Sequence, residues 1–216
     1  MIRILTESKN RAHKYIAELR DVNIQQDRQR FRLNLRRLAN IFAYEISKTL
    51  DYEESEVETP LGIANIQKQT DDIVSATILR AGLPMHEGIL EVFDDANSAF
   101  VTAYRKHHKD GTFEIHMPYV TCPKIDRKVL ILTDPMLATG ASIVDSLAAL
   151  SEYGAAKEIH VVVAIASRNG VEYVRRKYPK VNLWIGAVDE ELTAKNYIVP
   201  GLGDAGDLAF GAKLQD

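Results

Sequence analysis

The 216-residue chain contains a single cysteine, Cys122. One cysteine cannot form an internal disulfide or a multi-cysteine zinc cluster, which favours a reducing, intracellular setting. Long apolar runs are also absent: stretches such as Val161 to Ala166 are far shorter than the ~20 residues of a membrane-spanning helix. The N-terminus reaches a charge at Arg3 before an apolar region forms, which predicts that there is no secretory signal peptide. We therefore expect a cytoplasmic protein without a membrane contact.

The chain has little excess of charge of either sign, with 27 basic and 30 acidic residues and a formal net charge of −3. This balance argues against a protein that binds nucleic acid over its whole surface. Residues 1–50 nevertheless carry a net charge of +6, and five arginines crowd one segment: Arg28, Arg30, Arg32, Arg36 and Arg37. Because no aromatic residues alternate with these arginines, the pattern favours a solvated helix flank or subunit contact over a polyanion site.

The length predicts one domain, residues 1–216, with an N-terminal helical elaboration over about residues 1–55. Apolar residues at spacings of three and four mark one helix face there: Phe31, Leu35, Leu38, Phe42, Ile46 and Leu50. From residue 73 onward, short apolar runs alternate with helical segments, which predicts an α/β fold with a parallel sheet covered on both faces. Two further strand-like stretches, Ser98 to Tyr104 and Thr112 to Met117, predict a β-hairpin arm.

The strongest local motif follows a predicted buried strand, Val129 to Leu132. We call it the phosphate turn, and its residues are Asp134, Pro135, Met136, Leu137, Ala138, Thr139, Gly140, Ala141 and Ser142. Ligands bind at the carboxyl ends of parallel strands, and the free N–H groups of a helix start suit a phosphate. The turn therefore predicts a monophosphate site with an acid beside it. An ordinary helix cap by Thr139 is an equally good interpretation of the turn alone.

Two other segments are candidates for ligand contacts. The arginine loop (residues 79–83) places Arg80 at a strand's carboxyl end, where arginine either binds phosphate or carboxylate oxygens or forms a surface ion pair. The hood loop (residues 197–206) contains Gly201, Gly203 and Gly206, which formally match a dinucleotide fingerprint. Too few residues follow for the helix and strand that this fingerprint requires, so the hood loop is interpreted as a binding loop or lid.

Taken together, these segments resemble the type I phosphoribosyltransferases and, among them, the uracil phosphoribosyltransferase family. The phrases that carry the resemblance run from Leu79 to Leu83, from Asp134 to Gly140 and from Ile198 to Gly206. Most type I members open the phosphoribosyl motif with two adjacent acids, whereas here, as in the uracil enzymes, Pro135 replaces the second. The likeness extends from about residue 20 to the end of the chain.

The resemblance implies a parallel sheet flanked by helices, with a β-hairpin arm and a C-terminal hood loop. It implies an enzyme of pyrimidine salvage that transfers the phosphoribosyl group of 5-phosphoribosyl 1-diphosphate (PRPP) to uracil, giving UMP and diphosphate. Two alternatives stay open. One is a phosphoribosyltransferase-like regulator of pyrimidine genes that binds nucleotide and RNA, and the other is a transferase for a different nucleobase, such as a purine.

The resemblance also implies roles for individual residues. The phosphate turn would hold the 5-phosphate and ribose of PRPP, with Asp134 on the ribose hydroxyls. Arg80 and Arg105 would bind the diphosphate leaving group, and Asp204 would contact the sugar donor. The uracil site would consist of Ile198, Gly203, Asp204 and Ala205.

The implied cofactor is Mg²⁺, held mainly by substrate oxygens rather than by protein ligands. A homodimer or homotetramer is expected, without a nucleic-acid partner. The resemblance leaves open whether GTP is an effector, as it is for some members. It also leaves open whether the turn Lys106-His107-His108, which departs from the family pattern, alters regulation.

Overall fold

The computed structural model describes residues 1–107 and 113–212, and of residues 103–107 and 113–118 it describes the backbone alone. The strands are β1 (Ile2–Ile4), β2 (Tyr52–Thr59), β3 (Gly62–Gln69), β4 (Ile73–Leu79), β5 (Asn97–His107), β6 (Phe113–Thr121), β7 (Val129–Thr133), β8 (Met136–Leu137), β9 (Glu158–Ser167), β10 (Asn182–Asp189), β11 (Glu191–Leu192) and β12 (Ile198–Val199). The helices are α1 (Ala12–Arg20), α2 (Arg28–Ser47), α3 (Leu83–Leu90), α4 (Ala141–Ser151), α5 (Arg168–Lys177) and α6 (Ala205–Phe210), with a 3-10 turn over Leu5–Glu7.

The main sheet has the strand order β1-β10-β9-β7-β4-β5-β6, and β8 pairs with the end of β9. Its neighbouring strands run parallel except for β5 and β6, which form an antiparallel arm. Successive residues of β7 face opposite sides: Ile131 packs in a core with α1, α2 and α3, and Leu130 packs in a second core with α4 and α5. The predicted α/β fold, a parallel sheet flanked by helices, is confirmed.

The N-terminal region is helical from Ala12 to Ser47 with one break, and the six predicted apolar face residues are all buried. Residues 2–4 differ from the helical prediction, because they add strand β1 to the edge of the sheet beside β10. Ile2 and Ile4 pack against the core that contains α4 and α5. Burial of these two isoleucines favours the strand over a helical start.

The acidic segment from residue 51 forms an antiparallel hairpin, β2–β3, that was not predicted from the sequence. The hairpin turn is closed by Thr59, whose Oγ1 donates to the carbonyl oxygen of Gly62 at 2.8 Å. Neither face of the hairpin is buried, so its strands carry no alternation of apolar and polar residues. This explains why the sequence pattern did not indicate a strand.

Candidate active site

An open cleft of about 140 Å³ lies at the carboxyl ends of β4 and β7. Three segments that are far apart in the sequence contribute to it: the arginine loop, the phosphate turn and the hood loop. Residues of each line the cleft, including Arg80, Ala81, Asp134, Ser142, Asp204 and Gly206. The structure therefore brings together the three segments that the sequence analysis singled out.

Asp134 follows β7 directly, and its backbone is fixed in the sheet by an N–H bond to the Val162 carbonyl oxygen at 3.1 Å. Its Oδ1 accepts a hydrogen bond from the Met136 N–H at 3.1 Å. The side chain keeps partial contact with solvent, yet the surrounding protein displaces most of its water. This desolvation raises the pKa of Asp134 to about 7, against the smaller lowering effect of the Met136 N–H. Hydroxyl donors or a cation in the cleft would favour its ionised form.

The rest of the phosphate turn leads into α4, whose N-cap is Gly140 with φ at +86°. Gly140 offers no side-chain cap, and Thr139 Oγ1 only accepts a long 3.4 Å bond from the Ala141 N–H. Apart from that long bond, the start of α4 lacks the N-cap side chain that usually satisfies a helix start. This weakens the interpretation of the turn as an ordinary Thr139 cap and leaves donors available to an anion.

Arg80 also lines the cleft and reaches toward the C-terminal region. Its Nη2 lies 3.3 Å from Asp207 Oδ1, and its Nη1 donates to the Gly211 carbonyl oxygen at 3.4 Å. Gly82 holds the loop close to the sheet, because a Cβ there would lie 2.3 Å from Thr77 Oγ1 and 2.7 Å from the Thr133 carbonyl oxygen. The arginine loop is therefore packed directly against β7, next to the strand end that carries Asp134.

The helix that follows the arginine loop is tied to the sheet by a buried histidine. His86 Nδ1 lies 2.8 Å from Ser75 Oγ on β4, and its Nε2 lies 3.2 Å from Ser98 Oγ on β5. Burial lowers the pKa of His86 to about 4, so the ring is neutral at pH 7. A neutral ring donates through one nitrogen and accepts through the other, and each serine hydroxyl can supply the complementary role.

The hood loop contains strand β12 and leads into helix α6. Ile198 and Ala205 are buried, whereas Gly203, with φ at +96°, is exposed, and a Cβ there would meet only Leu208 Cδ1, at 3.9 Å. Asp204 caps α6, because its Oδ1 accepts a 3.0 Å bond from the Asp207 N–H. Of the predicted uracil residues, Asp204 is the one that lines the cleft.

One predicted site residue lies outside the side chains that the structure describes. Arg105 belongs to β5, and its backbone pairs with Ile115 of β6. Its assignment to the diphosphate stays a prediction. The predicted turn at Lys106-His107-His108 likewise lies outside the described side chains, and residue 108 lies outside the described backbone.

Two residues that the sequence analysis did not single out contact the hood loop. Arg20 of α1 and Asp189 of β10 both hydrogen-bond to the main chain of Gly201. They lie in different elements at opposite ends of the chain, so no local motif could have indicated the contact. The only signal for this contact was an acid at the end of a buried strand, and Asp189 is such an acid.

Among the residues that the structure describes, no group of three or more His, Cys, Asp or Glu side chains is arranged to hold a metal ion. Nor does any helix in that part of the chain have the length and apolar character needed to cross a membrane.

Comparison with known proteins gives a consistent result. A model of the family described as uracil phosphoribosyltransferase matches residues 6–212. A uracil phosphoribosyltransferase of Porphyromonas gingivalis is 49% identical over 203 residues, which cover 94% of each chain. One from Pyrococcus furiosus is 41% identical over 205 residues, covering 93% of this chain and 86% of its relative.

Solved structures give the same picture at the level of the fold. A protein from Aquifex aeolicus superposes with a TM-score of 0.87 over the full length of both chains, at 32% identity. A hypoxanthine phosphoribosyltransferase from Staphylococcus aureus has a TM-score of 0.50 at 13% identity, covering 74% of this chain and 76% of its own. The latter likeness shows a shared fold alone.

Proposed function

The chain belongs to the uracil phosphoribosyltransferase family, and from this membership we propose that it transfers the phosphoribosyl group of PRPP to uracil, forming UMP and diphosphate. The observation that carries the proposal is the cleft, which combines a cationic side chain, an uncapped helix start and two carboxylates. A phosphorylated sugar with a diphosphate leaving group needs these groups. The alternatives, an RNA-binding regulator and a transferase for a purine, are not favoured by the relatives found.

The donor is proposed to lie between the phosphate turn and the arginine loop. The first N–H groups of α4 and the hydroxyls of Thr139 and Ser142 would donate to its 5-phosphate. Asp134 would accept hydrogen bonds from the ribose hydroxyls, which stabilise the ionised carboxylate and lower its pKa from about 7. Asp204, which also lines the cleft, would contact the donor from the hood loop.

The reaction we propose is a dissociative glycosyl transfer. The bond between the anomeric carbon and the diphosphate oxygen breaks, that oxygen keeps the electron pair, and uracil N1 attacks the oxocarbenium-like carbon as its proton is lost. The side chains of Arg80 and Arg105 would stabilise the growing charge on the diphosphate. Positioning and electrostatics are sufficient for this chemistry, so it needs no nucleophilic side chain.

Uracil is proposed to bind at the hood loop, with Ile198, Gly203 and Ala205 contacting the base through backbone groups and Asp204 beside them. The exposure of Gly203 and its lack of a side chain support this assignment, because a base can approach the main chain there. Closure of the cleft would exclude water, which would otherwise react with the oxocarbenium-like carbon.

Mg²⁺ is the proposed cofactor, and the donor set of the cleft fits it. Asp134 and Asp204 are the carboxylates among the lining residues, and neither belongs to a cluster of metal ligands in the described part of the chain. A cation that keeps its waters and binds substrate oxygens suits such a site. When bound, Mg²⁺ would neutralise charge on the diphosphate.

We also propose a cytoplasmic homo-oligomer, a dimer or tetramer. The exposed apolar side chains of the β2–β3 hairpin support an assembled state, Leu61 being fully exposed and Ile63 71% exposed. An effect of GTP stays a prediction of the family resemblance, to be tested by adding GTP to the assay below.

A panel of nucleobases assayed with PRPP and Mg²⁺ tests the proposed function. Diphosphate release is measured with uracil, cytosine, hypoxanthine, guanine and adenine, and the product is identified by mass spectrometry. Uracil-dependent release with UMP as product is the expected result. Release with a purine alone, or no release with any base, would overturn the proposal.

A further inference from the structure

One ion pair binds both main-chain polar groups of a single hood-loop residue, Gly201. Arg20 Nη1 donates to the carbonyl oxygen of Gly201 at 3.0 Å, and Asp189 Oδ2 accepts from the Gly201 N–H at 2.9 Å. Arg20 and Asp189 are themselves joined by two parallel hydrogen bonds of 2.8 Å. The end of α1, the end of β10 and the hood loop therefore meet in one bonded unit, which we call the Gly201 clamp.

The Gly201 clamp is sheltered from solvent. Asp189 is 7% exposed, and the Arg20 side chain is 23% exposed. Buried Gln25 gives the hood loop one more hydrogen bond. With its side-chain amide oriented so that the nitrogen faces acceptors, Gln25 donates to the carbonyl oxygens of Leu19 and Leu202, at 2.9 and 2.8 Å. Planar, bidentate pairing of this kind fixes orientation as well as distance.

Glycine is the only residue type that fits at position 201. Its φ is +57°, and a Cβ would lie 2.2 Å from the Ile198 carbonyl oxygen. Because both polar groups of Gly201 are engaged by the Gly201 clamp, they are not available to a base. The available main-chain groups belong to neighbours, and Gly203 lies only two residues further along the chain.

We infer that Arg20 and Asp189 are positioning residues for base selection, acting through Gly201 on the backbone groups that read the base edge. The inference rests on the proposed function. A base reader made of main-chain groups discriminates only when its peptide units cannot rotate, since a flipped peptide presents the opposite donor and acceptor pattern. Arg20 holds the carbonyl and Asp189 holds the N–H, so the Gly201 peptide groups cannot turn without breaking charged hydrogen bonds.

The experiment compares Arg20→Ala, Arg20→Lys and Asp189→Asn with the parent enzyme. For each we measure the KM values for uracil and PRPP, kcat, and the ratio of kcat/KM for uracil over cytosine. A displaced loop is expected to raise the uracil KM roughly 10- to 100-fold and to lower the uracil preference about tenfold. The PRPP KM is expected to rise less than the uracil KM, because the Gly201 clamp touches neither the phosphate turn nor the arginine loop and only Asp204 is proposed to contact PRPP from the hood loop.

Chemical rescue separates positioning from loss of stability. Guanidinium ion added at millimolar concentration is expected to lower the uracil KM of Arg20→Ala and to leave that of the parent unchanged. Arg20→Lys keeps the charge and loses the fork, so an intermediate uracil KM is expected. It also provides a measurable variant where Arg20→Ala fails to fold.

Two matched controls exist in the chain. Arg168 pairs in bidentate fashion with Glu190, the residue next to Asp189, but both side chains are exposed. Arg30 pairs in bidentate fashion with nearly buried Glu18. Arg168→Ala and Arg30→Ala are expected to keep the uracil KM, even though Arg30→Ala lowers the melting temperature.

The outcomes are distinguishable. If the parent forms no UMP, the proposed function fails. If the parent forms UMP and the clamp variants lose thermal stability with unchanged uracil KM and base preference, the inference is overturned and the pair is structural. Equal rises in both KM values, or equal effects in the Arg30→Ala control, overturn it as well.

Discussion

Nη2 of Arg80 lies 3.3 Å from Oδ1 of Asp207, so an ion pair joins the arginine loop to helix α6. The two side chains are 42% and 39% exposed, and exposed pairs of this kind contribute about 0–1 kcal/mol. A diphosphate carries more charge than one carboxylate and accepts bidentate hydrogen bonds from arginine. The donor would therefore replace Asp207 as the partner of Arg80.

Arg80→Ala is expected to raise the PRPP KM at least about tenfold, with a smaller effect on the uracil KM. Asp207→Asn removes the competing carboxylate and is expected to lower the PRPP KM, by no more than about fivefold because the exposed pair is weak. Initial rates at varied PRPP and saturating uracil measure both. An Arg80→Ala effect confined to the uracil KM would contradict the assignment. Arg105→Ala, assayed in the same way, is expected to resemble Arg80→Ala.

Asp134→Asn is expected to lose most of its activity while keeping its fold. The amide keeps the shape of the side chain and can still accept from the Met136 N–H, but it no longer carries the charge that the ribose hydroxyls and a cation favour. Circular dichroism and kcat/KM on the same preparations provide the check. A variant with the parent's kcat/KM removes Asp134 from the site.

The stability of the ligand-free enzyme is expected to fall as the pH rises from about 4 to 7 because of Asp134. Burial raises its pKa from 3.8 to about 7, so the folded state holds a proton that the unfolded state releases in this window. The free energy of unfolding is expected to fall by about 1–3 kcal/mol between pH 5 and 8, given the partial exposure of the Asp134 side chain. Urea unfolding of parent and Asp134→Asn measures it. A variant with the same pH slope as the parent would show that Asp134 does not titrate as expected.

His86 is expected to act in the opposite direction. Its pKa is lowered from 6.5 to about 4, so the unfolded state binds a proton more readily and stability falls as the pH drops through this range. Between pH 7.5 and 5, His86 is expected to lower the free energy of unfolding by about 2 kcal/mol. His86→Gln should flatten the acid slope by that amount. Burial also lowers the pKa of His160 to about 4. His160 should therefore keep some acid dependence of the unfolding free energy in both the parent and His86→Gln.

Cytosine is expected to be a poor substrate, and 5-fluorouracil a good one. Uracil presents an acceptor O4 and a donor N3–H, whereas cytosine presents the reversed pattern to the same backbone groups. Each buried unsatisfied group costs about 1–3 kcal/mol, so two mismatches predict discrimination on the order of 10² to 10⁴. Ratios of kcat/KM give the value. Equal turnover of cytosine and uracil would show that the hood loop does not read the base.

The parts of the site that the sequence predicted share one physical cause. Buried parallel strands consist of apolar runs, and the residues that follow each run lie at one edge of the sheet. Arg80 and Asp134 follow β4 and β7, which are hydrogen-bonded neighbours. Their meeting in the cleft follows from the strand pattern and the parallel arrangement.

The parts that the sequence did not predict lack a local pattern. The β2–β3 hairpin has no buried face, and α6 is a short helix directly after a glycine-rich loop. The bond between Arg20 and Asp189 joins residues 169 positions apart. Such a contact depends on how α1 and β10 pack together, which no spacing of residues encodes.

The position of β1 at the edge of the sheet bears on the synthesis of the chain. β1 is synthesised before its pairing strand, β10, which begins at Asn182, and the loop that Arg20 contacts comes later still. While the ribosome adds the intervening residues, β1 lacks its neighbouring strand, and the end of α1 lacks Asp189 and Gly201. The nascent chain therefore cannot form the Gly201 clamp until residue 201 has been synthesised.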